Sequence, residues 1–209
     1  MKKILHIIAT PRGEESRTLK VSEAFLAGFK ARNPDYAVEE LDLSNEKLPA
    51  LTAKRVDGKY ILLGGKDMPP EFQAAWKEIA AHINRFLSAD KYLLSSPMWN
   101  FSIPYMLKHY IDVIVQPKYL FRYTENGAQG LATGKKMAVI TSRGGEYGPG
   151  TPAHSYDFQE PYLRTVFGFV GITDIVFINA EPMDASGAQV QADKIKEAQS
   201  EARELAKGF

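Results

Sequence analysis

Three stretches of the chain carry side chains whose types and spacing suit chemistry as well as packing. Residues 10–18 (TPRGEESRT) offer hydroxyls from Thr10, Ser16 and Thr18 and the donor fork of Arg17. If residues 16–18 open a helix, its unpaired N–H groups and dipole make that point an anion site. Residues 97–101 place Pro97, Met98, Trp99, Asn100 and Phe101 in a row, two aromatics and a thioether around an amide. That mixture suits the face of a flat, partly polar ring. Ser142, Arg143, Gly144 and Gly145 begin a glycine-rich loop, where backbone can approach a ligand closely at little steric cost. Taken singly, each stretch has an ordinary structural reading. Ser16 serves as a helix N-cap, the aromatics staple the core, and the glycines form a flexible connector.

The surrounding elements decide whether the three stretches meet. Residues 3–9 (KILHIIA), 37–43, 91–96, 136–142 and 174–179 are short apolar runs of the kind buried in a parallel sheet. Helical patterns fill 16–32, 71–87, 104–115, 156–171 and 185–207, with Pro104 at a helix start. Residues 44–70 read as irregular, punctuated by Gly64-Gly65 and Pro69-Pro70. Residues 118–134 interrupt the alternation, and Glu125-Asn126-Gly127 marks a turn, so a hairpin-like flap is expected there. Alternating strands and helices predict an α/β fold. The expected form is a flavodoxin-like, doubly wound, five-stranded parallel sheet with helices on both faces, in one domain spanning residues 1–209. Right-handed crossovers would then bring the loops after strands one, three and four to one edge of the sheet.

Composition narrows the field. The chain has 209 residues, 44% of them apolar, and a net charge of +1. A balance this even gives no footprint for nucleic acid. The absence of cysteine excludes disulfides, thiolate nucleophiles and iron–sulfur clusters. The opening run MKKILHIIAT is followed by Pro11, Arg12 and Gly13 without a small-residue cleavage site, so it reads as a buried strand rather than a signal peptide. No apolar run approaches the ~20 residues of a membrane span. A cytoplasmic protein with no membrane partner is expected. His6, His82 and His109 lack metal-ligand spacing and read as structural, and no metal site is expected. His154 lies in the loop after strand four, where a proton relay competes with the plainer reading of a surface histidine.

Together the three stretches describe a phosphate cradle beside a flat slot edged by backbone donors. Neither GxxxxGK[ST] nor GxGxxG is present, so a small mononucleotide phosphate fits better than a triphosphate or dinucleotide. Flavin mononucleotide (FMN) has that shape, and donors at its pyrimidine edge would favour its reduced form.

At full length the chain resembles the FMN-dependent NADH-azoreductases, a branch of the flavodoxin-like quinone reductases. PMWNFSIPYMLKHYID, FRYTENGAQGLATGKK and VITSRGG carry the resemblance. It implies ring contacts at Pro97, Met98, Trp99, Asn100, Phe101, Ser142, Arg143, Gly144 and Gly145. It implies phosphate contacts at Thr10, Ser16, Arg17 and Thr18. The chain departs from the family pattern in two respects: Thr10, Arg17 and Thr18 stand where serines are common, and Trp99 stands where tyrosine is common. The resemblance further implies a homodimer with the site at its interface, and Tyr119, Phe121, Tyr123, Phe167 and Phe169 are candidates to line the substrate pocket of the partner. The implied reaction passes two electrons from NADH or NADPH through the flavin to a quinone or azo compound, by a ping-pong route with no catalytic side chain. The alternative is a flavodoxin-type electron carrier without nicotinamide turnover. Carriers of that type tend to be acidic, which this chain is not.

Overall fold

A computed structural model describes residues 1–184 and 187–209 of the chain. The sheet is built from β1 (Lys2–Ile8), β2 (Tyr36–Asp42), β3 (Lys91–Ser95), β6 (Lys136–Ser142) and β7 (Asp174–Ala180). These five strands are all parallel, in the order β2-β1-β3-β6-β7. The connection after β1 runs outward to β2, whereas that after β3 runs the other way to β6. The direction of winding therefore reverses between β1 and β3, the place where such sheets leave a crevice at their carboxyl edge. A separate antiparallel hairpin, β4 (Phe121–Thr124) with β5 (Gly127–Gly130), lies between β3 and β6 in the chain.

The two faces are covered differently. One carries α1 (Arg17–Arg32) and α6 (Gly187–Gly208), joined through Val21, Phe25, Phe29, Ala198, Ala202 and Ala206. The alanines let the two helices approach closely; a Cβ on Gly28 would sit 3.2 Å from the Ala206 Cβ. The other face carries α3 (Pro70–Leu87), α4 (Tyr105–Ile114) and α5 (Glu160–Phe169). Trp76, Ile79, Ile83 and Phe86 of α3 are buried at the expected three- and four-residue steps.

Two elements differ from the sequence reading. Residues 53–63, read as irregular, form α2 (Ala53–Leu63). This helix has no side-chain N-cap and buries only Gly58 and Leu62, so neither capping nor periodicity announces it. It exists because Gly58 leaves room for the indole of Trp76, whose Nε1–H donates to the Arg55 carbonyl at 3.2 Å. The helix expected from residue 156 begins at Glu160, after a 3₁₀ turn at His154–Tyr156, with Pro161 in its first turn. The expected start of the last helix at Ala185 lies outside the described residues.

The hairpin is fixed at its base. Gly130 meets Gly171 so closely that a Cβ on Gly130 would overlap the Gly171 backbone. The Ala132 N–H donates to the Val170 carbonyl at 2.8 Å. Among the described residues, no helix is long and apolar enough to cross a membrane.

Candidate functional site

The loop after β1 makes a 3₁₀ turn at Gly13–Glu15 and delivers Ser16 as the N-cap of α1. Ser16 is buried, and its Oγ accepts from the Leu19 N–H at 3.3 Å. One orphan donor of the helix is thereby satisfied, and the N–H groups of the first turn face a cleft of about 200 Å³. Thr10, Arg12, Ser16 and Arg17 line this side. Arg17 is held by Asp184, with Nη1 to Oδ1 at 2.6 Å.

The loop after β3 forms the second wall, through Pro97, Met98 and Trp99. Trp99 and Ser102 exchange backbone hydrogen bonds at 2.9 and 3.0 Å around a tight turn. Its central residues Asn100 and Phe101 have φ of +47° and +68°, the left-handed pair of a I′-type turn. For a residue as bulky as Phe101, that conformation costs about 1–2 kcal/mol. Neighbours hold it there: the Phe101 carbonyl accepts from the Phe158 N–H at 3.0 Å, and its ring meets those of Tyr147 and Tyr156. The turn leaves Trp99 as a shared wall. On one side is the cleft; on the other is a larger, mainly apolar hollow of about 530 Å³ lined by Asn100, Ile103, Tyr105, Lys108 and Tyr162.

The loop after β6 supplies Ser142, Arg143 and Gly144. Ser142 Oγ lies 2.8 Å from Thr18 Oγ1, tying this loop to α1. Among the described residues, the N–H groups of Gly144 and Gly145 have no acceptor. The Gly144 carbonyl accepts from Asp184 N–H at 3.0 Å, and a Cβ on Gly144 would stand 3.1 Å from Asp184 Oδ2. A side chain at Gly144 would therefore crowd the Asp184 carboxylate where the β6 and β7 loops cross. That fourth loop, with Met183 and Asp184, completes the lining. The sequence reading missed it, although β7 ends at the same sheet edge as β1, β3 and β6.

The candidate residues do not all meet. Thr10, Ser16, Arg17, Pro97, Met98, Trp99, Ser142 and Gly144 line the cleft together, while Asn100 lines the adjoining hollow and Phe101 and Gly145 line neither. Thr18 is fully buried, and its hydroxyl is committed to Ser142, so it braces the cleft rather than facing a ligand. Arg143 has only its backbone side at the cleft. Its guanidinium is 1% exposed and turns inward to Asp157 and Gln159, at 3.0 and 3.2 Å. Glu181 and Glu160 stand 3.6 and 3.7 Å away. Burial raises the Glu181 carboxyl above its ordinary range.

None of the five aromatic candidates lines this chain's own cleft. Phe167 is fully buried in a stack with Phe86, because the inward face of α5 needs a core residue at that step. Tyr119 stacks on Trp76, and Phe121 is buried beside Phe169. Tyr123 is exposed on the hairpin, as Phe169 is at its base. His154 lies behind the β6 loop, in a cavity with Arg143 and Glu160, and its Nδ1–H donates to the Tyr147 carbonyl at 2.9 Å. It is not placed to relay a proton into the cleft.

Beneath the cleft runs a buried polar chain. His6 Nε2 meets Ser95 Oγ at 2.7 Å, Ser95 Oγ meets Ser22 Oγ at 2.6 Å, and Ser22 donates to the Thr18 carbonyl at 3.0 Å. Burial lowers the pKa of His6 to about 4, so the imidazole is neutral at pH 7.

The residues present fit a flavin nucleotide. A helix N-terminus with two arginines can take a phosphate. A proline–methionine–tryptophan wall can take a flat ring, and two unpaired glycine N–H groups can meet its polar edge.

Comparison with known proteins agrees with that geometry. A family model described as a flavodoxin-like fold matches residues 2–206. The chain is 41% identical to an FMN-dependent NADH:quinone oxidoreductase of Nitratidesulfovibrio vulgaris, over 100% of both chains. It is 42% identical to one of Desulfotalea psychrophila, over 98% of each. Among solved structures, an azoreductase from Bacillus anthracis str. Sterne superposes with a TM-score of 0.89 at 32% identity, over 100% of both chains. An FMN-dependent NADH-azoreductase from Bacillus anthracis str. Ames Ancestor, in complex with FMN, does so at 0.83 and 28%, over 99% of this chain and 100% of that one. The sequence, the winding of the sheet and the make-up of the cleft converge: this chain belongs to the flavodoxin-like family of FMN-dependent NADH:quinone oxidoreductases and azoreductases.

Proposed function

We propose that the protein is an FMN-dependent oxidoreductase that passes two electrons from NADH or NADPH to quinones and aromatic azo compounds. The observation that carries this reading is the meeting, in one cleft, of the α1 N-terminus, the Pro97–Trp99 wall and Gly144, whose N–H, like that of the adjoining Gly145, has no acceptor among the described residues. Arg12, Arg17 and the first turn of α1 hold the phosphate, with Thr10 and Ser16 lining its seat. Pro97, Met98 and Trp99 hold one face of the ring. Gly144 and Gly145 direct N–H groups at the pyrimidine edge, where negative charge accumulates on reduction. The flavin supplies hydride acceptance and donation, so no side chain need act as nucleophile or acid.

The apolar hollow beyond Trp99 offers one place for a nicotinamide and for an aromatic acceptor, in turn. A shared place gives ping-pong kinetics. The side chains of Phe101, Tyr105, Tyr156 and Phe158 are 47–74% exposed around the same rim. So much aromatic surface beside the site favours cover by a second copy of the chain, making the protein a homodimer. The cysteine-free composition is compatible with a reducing cytoplasm.

Anaerobic titration of the FMN-loaded protein tests the reading. NADH is expected to bleach the visible flavin band, and benzoquinone to restore it. A flavin that binds but is bleached by neither NADH nor NADPH would make the protein a carrier instead.

A further inference from the structure

The buried side of the β6 loop is more elaborate than a connector requires. Gln159, one residue before α5, is fully buried. Its Nε2 donates to the carbonyls of Ser96 and Pro97 at 3.1 and 3.0 Å, and its Oε1 accepts from Arg143 Nε at 3.2 Å. β3 ends at Ser95, so those two carbonyls have left the ladder and need donors in the interior. Arg143 has likewise just left β6. Asp157 closes the assembly. Its Oδ2 takes Arg143 Nη1 at 3.0 Å, and its Oδ1 caps α5 by accepting from the N–H groups of Gln159 and Glu160 at 2.9 and 3.0 Å. The roots of two cleft loops are thus bolted to one helix end, and a single carboxamide joins them. Only an amide can serve: the joint needs two N–H donors and an acceptor on one short side chain.

Gln159 does not line the cleft. We infer that it is a positioning residue for the flavin, fixing the spacing between the Pro97–Trp99 wall and the Gly144–Gly145 donors through Arg143. The inference rests on the functional reading above. Gln159 is buried with both its donors and its acceptor engaged, and Arg143 Nη2 is the one group of the joint without a hydrogen-bond partner among the described residues; so tied, the joint holds a rigid spacing. Electrostatic stabilisation of a reduced ring depends on donors already in place, so a loosened spacing weakens the reduced state more than the oxidised one.

The test uses the full-length protein with FMN, in two variants. Gln159→Met keeps the side-chain volume and is neutral, but drops all three hydrogen bonds. Gln159→Glu keeps an acceptor for Arg143 and loses both donors. FMN dissociation constants, flavin midpoint potentials and melting temperatures are measured for both and for Phe167→Leu, which loosens the buried face of α5 without touching the joint. The expected result for Gln159→Met is roughly tenfold weaker FMN binding and a more negative midpoint potential. A change of the same sign is expected in Gln159→Glu. Phe167→Leu lowers the melting temperature and leaves the potential in place. Gln159 variants that keep the wild-type potential and bind FMN within twofold of wild type overturn the inference, whatever their melting temperatures. Should Gln159→Met not fold, Gln159→Glu decides by the same criterion. A wild-type protein that fails to bind FMN overturns the functional reading itself, and this inference with it.

Discussion

At the carboxyl end of the sheet the interior is polar. His6, Thr10, Ser16, Thr18, Ser22, Ser95, Ser96, Thr141, Arg143 and Gln159 are all buried under or beside the cleft. The region around the hairpin is built otherwise. Phe121 packs on Phe169, Tyr119 on Trp76, and Gly130 presses directly on Gly171, with Gln116 the one buried polar side chain nearby among the described residues. The same contrast appears in the turns. The hairpin uses glycine at its tip, Gly127 with +99°, and has one non-glycine residue at positive φ at its entry, Lys118 with +66°, whereas the cleft turn puts two neighbours, Asn100 and Phe101, into that region. Apolar packing is the cheaper way to hold a loop. Buried hydrogen-bond networks and strained backbone persist where position itself matters. The difference therefore separates a part of the molecule with a buried polar interior shaped for a ligand from a part held mainly by apolar packing and exposed polar contacts such as those of Lys118.

Four substitutions test that contrast, and the largest effect belongs to Arg143. Replacing it by Met leaves Asp157 and Glu181 without their cation, while Glu160 keeps Arg164 at 2.7 Å. A loss of about 3–5 kcal/mol is expected in urea unfolding, together with weakened FMN binding; a loss under 1 kcal/mol would mean the cluster is not the support described.

Next in size is a pH effect beneath the cleft. The pKa of His6 falls from 6.5 to about 4 through burial. The unfolded chain therefore takes up the proton first as pH drops. Stability is full above pH 6.5 and is lost as pH falls toward 4, by up to about 3 kcal/mol. Unfolding measured across that window should be distinctly flatter for His6→Asn than for the wild type; parallel curves would show that His6 does not carry the dependence.

Gly130→Ala, at the hairpin base, puts a methyl into the Gly171 backbone. A loss of about 1–3 kcal/mol is expected, with FMN affinity unchanged. A large fall in affinity would erase the distinction between the two regions. Ser16→Ala should cost least, about 1 kcal/mol for the lost cap. Unlike Gly130→Ala it should weaken FMN binding, which a fluorescence titration of free FMN would reveal.

Much of this was legible in the sequence, for physical reasons that also mark where legibility ends. The five strands are short apolar runs, and the cleft loops carry unusual residue types at strand ends, so local chemistry and alternation suffice to place them. Helix α2 was invisible because its stability comes from the fit of Gly58 to Trp76, two positions far apart in the chain. Residue type reveals what a side chain can bond, not which way it turns: the sequence names Arg143 and Thr18, and only the structure shows the Arg143 guanidinium turned inward and the Thr18 hydroxyl bonded to Ser142. For the same reason the sequence does not show that Phe167 packs on Phe86. The Arg17–Asp184 pair and the Gln159 joint link elements distant in sequence, and no local signal announces either. The carboxyl-edge rule alone would have added the loop after β7.

The claim at the centre of this account is that the carboxyl-edge cleft seats the flavin. A crystal structure of the protein with FMN tests it most directly. The account predicts the phosphate at the N-terminus of α1 beside Arg17, and the ring against Pro97–Trp99 with Gly144 and Gly145 N–H groups at its polar edge. FMN bound elsewhere, or with its ring outside the space between Trp99 and the β6 loop, would contradict it.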